Sequence, residues 1–143
     1  VINIQEIPYA SAAYEASKRF RDELLRLPLG LKLSARDVDG EEAQIHIAAV
    51  RDGTIVGIVL LKPLSARVVK LRQMAVGQEL QGTGMGRKLV RYAEALALAR
   101  GFVAMETHAR VSARGFYEKL GYEAMGEEFT EATVANIKMT KAL

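Results

Sequence analysis

The most constraining stretch of this chain is Val76-Gly77-Gln78-Glu79-Leu80-Gln81-Gly82-Thr83-Gly84-Met85-Gly86-Arg87-Lys88. Glycines at 82, 84 and 86 stand between two segments of different period. Val68–Val76 is rich in Val and Leu and reads as a strand. Met85, Leu89, Tyr92 or Ala93, Leu96 and Arg100 fall on one helical face, which predicts a helix over Gly84–Arg100. Glycine adopts dihedrals closed to other residues and lets a backbone approach a ligand closely. A helix start adds unbonded N–H groups and the positive end of the dipole, so the combination is an anion cradle. Arg87 and Lys88 in the first turn oppose that dipole unless an anion binds there. The plain alternative is a flexible connector.

The flanking periods place the loop in a mixed sheet. Val1–Ile7 alternates as a strand and Pro8 stops it. Ser11 stands as an N-cap, and Ala13, Ser17, Phe20, Leu24 and Leu27 predict an amphipathic helix over Ser11–Arg26, ended by Pro28 and Gly30. Ser34–Glu42 is polar, a loop or a short helical turn. Two strands, around Ile45–Ala49 and over Thr54–Leu61, flank the hairpin signal Asp52-Gly53. With Val68–Val76 they make an antiparallel meander. After the long helix, Gly101 is a C-cap, Phe102–His108 a strand, Ser112–Leu120 a helix, and Tyr122–Met125 and Ile137–Leu143 further strands. The expectation is one α/β domain over residues 1–143, a meander followed by β-α-β-α-β. The length suits one domain.

Several chemistries are excluded. The chain has no cysteine, which removes disulfides, thiolate metal sites and a cysteine nucleophile, and points to a reducing cytoplasm. No apolar run is long enough to span a membrane, and Val1–Pro8 lacks the pattern of a secretory leader. The two histidines, His46 and His108, lie far apart, no metal-ligand spacing occurs, and the serine-hydrolase elbow is absent. The net charge of +3 is unevenly spread: Lys62–Arg91 holds seven basic residues against one acid. Aromatic residues make up 6% with no Trp, which argues against a nucleic-acid surface and leaves an anionic small ligand as the partner of that basic run.

The loop lacks the Lys-Ser/Thr pair of a nucleotide-triphosphate P-loop and the spacing of a dinucleotide fingerprint. Gln81-x-x-Gly84-x-Gly86 instead resembles the Q/R-x-x-G-x-G/A loop of the GNAT superfamily of acyl-CoA-dependent N-acyltransferases. About thirty residues on, Ala113-Arg114-Gly115-Phe116-Tyr117-Glu118-Lys119-Leu120-Gly121-Tyr122 resembles the second GNAT signature, A-x-x-F-Y-x-K-x-G-F/Y. Arg72-Gln73-Met74-Ala75-Val76 is similar to the strand before the loop. Leu27-Pro28-Leu29-Gly30-Leu31 and Gly126-Glu127-Glu128-Phe129 resemble a subgroup of small bacterial members.

The resemblance implies a GNAT fold with splayed central strands, and acetyl-CoA as co-substrate without a metal. Backbone groups of Met74, Ala75 and Val76 would hold the acyl-pantetheine arm. Gln81, Gly82, Thr83, Gly84, Met85, Gly86 and Arg87 would hold the pyrophosphate. Tyr117 would be the general acid that protonates the leaving thiolate, and Phe116 would line the cofactor; core packing is the plainer role for both. Arg110 stands where the family often has Asn in contact with the cofactor. Arg110, Arg114 and Lys119 would meet the phosphates or be ordinary solvated charge. Glu106 and His108 share one strand face and are candidates for the base, with His46, Glu41 and Glu42 behind them. Acids at 37, 39, 41, 42, 123, 127, 128 and 131 would attract a cationic amine or simply face solvent. The activity implied is transfer of acetyl from acetyl-CoA to a primary amine of a small molecule or peptide by direct attack. An acyl-CoA binding or sensing module without catalysis is the rival on the same fold, and homodimers are common in the family.

Overall fold

The computed structural model describes residues 1–143. Strands β1 (Ile2–Ile7), β2 (Ile45–Arg51), β3 (Thr54–Pro63), β4 (Val68–Val76), β5 (Ala104–Arg110), β6 (Glu123–Glu131) and β7 (Val134–Ala142) form one sheet in the order β1-β2-β3-β4-β5-β7-β6. Helices are α1 (Ala12–Arg21), α2 (Ala35–Val38), α3 (Met85–Ala99) and α4 (Arg114–Lys119). The antiparallel meander runs β1 to β4, and only the β4–β5 pair is parallel.

Local chemistry explains most boundaries. The Ser11 side chain accepts the Tyr14 N–H at 3.1 Å and starts α1. The helix expected to reach Arg26 changes at Asp22 to a wide π turn, then a 3₁₀ turn over Leu27–Leu29. The Asp22 carboxylate is drawn outward by the Leu33 N–H, 2.6 Å away. Ser34–Asp37 forms a capping box that starts α2, the short helical turn expected there as the alternative to a loop. Asp52 and Gly53 both have positive φ, as a tight β2–β3 hairpin turn requires.

The core has two layers. On one face of the sheet, Leu89, Val90, Ala93 and Ala97 of α3 pack with Ile47, Val59, Leu61, Leu71 and Met105. On the other, Phe20, Leu24 and Leu25 of α1 and its π turn cover Ala48, Ile58, Leu60 and Ala75. Leu89 is fully buried, so Leu89→Ala would cost about 2–5 kcal/mol.

Two irregularities make the site. The β3–β4 register slips by one residue between Ile58–Ala75 and Leu60–Arg72, and inside the slip Gln73 takes φ +55°. β4 and β5 pair only from Val68–Ala104 to Leu71–Thr107. Beyond that rung the two strands part, as the expected splay requires.

Candidate active site

The parted strands enclose a cleft of about 220 Å³, lined by Arg72, Gln73 and Met74 of β4, Thr107 to Arg110 of β5, and Tyr117 of α4. On the α1 side it opens into a broader basin of about 860 Å³ that shares Arg72, Gln73, His108 and Glu131 with it and adds Lys62 and Lys70.

Tyr117 enters from the α3 face. It is buried, stacked edge-on against Phe116 at 5.0 Å and Tyr122 at 5.4 Å. Its hydroxyl faces the cleft, with the Thr107 hydroxyl as its one polar neighbour. Burial pushes the phenol up to about 12, with the neighbouring Thr107 hydroxyl pulling it back. The phenol therefore stays protonated at neutral pH.

His108 enters from the opposite face. Its Nδ1 lies 3.2 Å from Lys70 Nζ and 3.1 Å from Glu131 Oε2, and Phe129 packs edge-on at 5.0 Å. Burial holds the Lys70 ammonium below its ordinary value, Glu131 opposes this, and Arg72 and Lys62 add to it. Glu106 shares that strand face but lines neither cavity; it pairs with Lys138 at 3.4 Å.

The other base candidates are engaged elsewhere. The fully buried Glu41 accepts from Arg21 Nη1 at 2.9 Å, Arg72 Nη1 at 2.7 Å and Tyr14 OH at 2.8 Å. Burial alone would raise its pKa, but Arg21 and then Arg72 outweigh this and hold it below the usual carboxylate range. His46 is buried with Nε2 2.8 Å from the Glu41 carbonyl oxygen. Burial lowers its pKa; Glu41 opposes this, and Arg21 and Arg72 reinforce it.

The glycine loop lies on the α3 face. Gly82 has φ +78° and Gly84 +90°, and a Cβ on either would point into open space. Neither amide has a backbone partner, and the first bond of α3 runs from Lys88 N–H to the Gly84 carbonyl at 3.1 Å. The Met85, Gly86 and Arg87 amides thus lack an intrahelical acceptor. Gln81 turns inward and donates to the Val76 carbonyl at 3.0 Å, and the Thr83 hydroxyl donates to the Leu80 carbonyl. Gly86 serves packing: a Cβ there would sit 3.3 Å from Phe116 Cζ and 3.8 Å from Met74 Cε. Such a row of free amides at a helix start suits a pyrophosphate.

A model of the GNAT acetyltransferase domain matches residues 10–143. The chain belongs to the GNAT acetyltransferases. These enzymes take the acyl group from its CoA thioester. This GNAT protein is 29% identical over 136 residues to the uncharacterized N-acetyltransferase YitI of Bacillus subtilis, covering 90% of this chain and 91% of that one. Its fold matches an acyl-CoA N-acyltransferase from Pseudomonas aeruginosa with a TM-score of 0.85 at 19% identity, over 99% of this chain and 100% of the other. It also matches a GNAT family acetyltransferase from Elizabethkingia anophelis with acetyl-CoA bound, with a TM-score of 0.74 at 18% identity, over 99% and 98% of the two chains.

The expected phosphate contacts divide on this GNAT frame. Gly82 and Gly84 to Arg87 present their free amides together at the start of α3, and Phe116 packs against Gly86. Lys119 is exposed on α4, and Arg114 pairs with Glu118 at 3.4 Å. Arg110 faces away from the cradle, because β5 extends two residues beyond the strand expected from sequence. Its guanidinium crosses the α1 face and donates to the Leu25 carbonyl at 3.1 Å. The basic run divides likewise: Arg87 and Lys88 flank the cradle, while Lys62, Lys70 and Arg72 line the basin. Lys70 and Glu131 were not legible as partners of His108. Only the β4–β5 register and the β6–β7 hairpin bring them together.

Proposed function

We propose that this GNAT enzyme moves acetyl from acetyl-CoA to a primary amine of a small molecule or peptide, with Tyr117 as general acid and His108 as base. The observation that carries the reading is the Tyr117 hydroxyl: buried, facing the cleft where the strands part, with only the Thr107 hydroxyl beside it. Its O–H donor suits the thiolate that leaves as the amine is acylated. The acetyl-CoA thioester supplies the activated acyl group. Gly82 to Arg87 would hold the pyrophosphate, and the backbone of Met74, Ala75 and Val76 would align the pantetheine arm and polarise the carbonyl. The absence of cysteine favours direct attack over a cysteine-bound acyl-enzyme.

The amine must shed a proton first. At neutral pH only about one alkylamine in a thousand is a free base, a deficit of roughly 4–5 kcal/mol. His108 lies on the acceptor side of the cleft with Glu131 beside its Nδ1. In the tautomer that donates Nδ1–H to Glu131 rather than accepting there from Lys70, the Nε2 lone pair is free to accept that proton.

The test is thiol release from acetyl-CoA across a panel of amines, with thermal unfolding of the protein alone and with CoA. CoA should raise the melting temperature and at least one amine should release thiol in step with its acetylation. Absence of any CoA stabilisation contradicts the proposal. Stabilisation without thiol release for any amine would favour the binding module.

A further inference from the structure

We propose that the acceptor amine carries an acidic group, a carboxylate or a phosphate, and that Arg110 receives it; this rests on the acetyl-transfer reading above. Three arginines line the inner cleft. Arg26 pairs with Asp37 at 3.1 Å and Arg72 with Glu41 at 2.7 Å. Arg110 has no carboxylate partner, and its hydrogen bond goes to the neutral Leu25 carbonyl. The side chain is half-buried; burial, and then the charge of Arg26, lower its pKa. A guanidinium that has lost water without gaining a counter-charge is an incomplete ion pair. Its planar fork matches a carboxylate or a phosphate bidentately.

The surrounding field has the same sign. Arg26, Lys32, Arg36, Lys62, Lys70 and Arg72 border the basin against Asp37, Asp39 and Glu131, and Asp37 is already held by Arg26. A polycationic acceptor would meet net repulsion there. Arg110 also lies on the wrong face to serve the CoA pyrophosphate, whose cradle is at the start of α3.

Position narrows the ligand further. Arg110 and His108 alternate on one face of β5, about 7 Å apart along the strand. That spacing suits a compact ligand whose amine and acid are about three or four bonds apart, as in a short amino acid or an aminoalkyl phosphate.

The test compares matched acceptors: β-alanine with its amide, O-phosphoethanolamine with ethanolamine, and spermidine as the cationic arm. Both thiol release and melting of the CoA-loaded protein are read. At least one acid should exceed its neutral partner by about 10-fold or more in kcat/KM and stabilise the protein more; which acid does so separates carboxylate from phosphate. Arg110→Gln should erase the preference through the KM of the acid while CoA affinity holds, and Arg110→Lys should keep part of it. Equal treatment of acid and neutral amine, a preference for spermidine, or an unchanged preference in Arg110→Gln overturns the inference. Thiol release without acid preference sinks this inference and leaves acetyl transfer standing. Selective stabilisation by an acid without thiol release from any amine does the reverse.

Discussion

Thr107 donates its hydroxyl to the Leu71 carbonyl at 3.0 Å, on the last rung where β4 and β5 still pair. The bond pins the base of the fork from which the cleft opens. Thr107→Val keeps the shape and removes the donor. It should lower the unfolding free energy by about 1–2 kcal/mol in urea titration. It should also move the Tyr117 titration upward, because the Thr107 hydroxyl is what pulls that pKa down.

Alkaline stability should follow the buried phenols. Burial raises Tyr14, Tyr117 and Tyr122 above their ordinary value of 10.0. Above pH 10 the unfolded chain releases protons that the fold retains, so stability is fully present below that pH and falls as pH rises. Tyr117→Phe should remove the component of this loss that ends near pH 12. Urea midpoints measured from pH 8 to 11 check the sign; a midpoint that rises with pH would contradict it.

The fold was largely legible because its period changes are strong: alternating runs for β1 to β4, then a helical period from Met85. What escaped was tertiary. β6 runs to Glu131 and turns through Ala132 and Thr133, both at positive φ with neither Gly nor Asn to announce the turn. That hairpin delivers Glu131 to His108. The motif position points Arg110 toward the cofactor, but it carries no information about which sheet face a side chain takes once the strand is displaced two residues toward the C-terminus. The acids at 37 and 41 looked free to attract an amine, yet both are held by arginines from distant segments.

Glu41→Gln should be among the most damaging single changes. It leaves Arg21, fully buried, and Arg72 without their shared carboxylate. A loss of about 3–5 kcal/mol is expected in chemical denaturation. The same carboxylate governs acid stability. Its folded pKa lies below the ordinary 4.5, so its contribution is present above that pH and disappears as pH falls through the folded value.

Gly84→Val should separate ligand binding from folding. At φ +90° a β-branched residue is strained by about 1–3 kcal/mol, and its side chain projects into the open front of the cradle. CoA affinity by calorimetry should fall by about 10-fold or more, because the phosphates can no longer reach the amides. Unchanged affinity would place the pyrophosphate elsewhere.

The most direct measurement is turnover of Tyr117→Phe set beside its CoA affinity. The hydroxyl's one polar neighbour, Thr107, is already anchored on the Leu71 carbonyl, so its loss should spare the fold and leave CoA binding within a factor of about two. Loss of the proton donor should cut kcat by about 100-fold or more. Equal losses in kcat and CoA affinity, or a kcat close to that of the wild type, would contradict Tyr117 as the general acid.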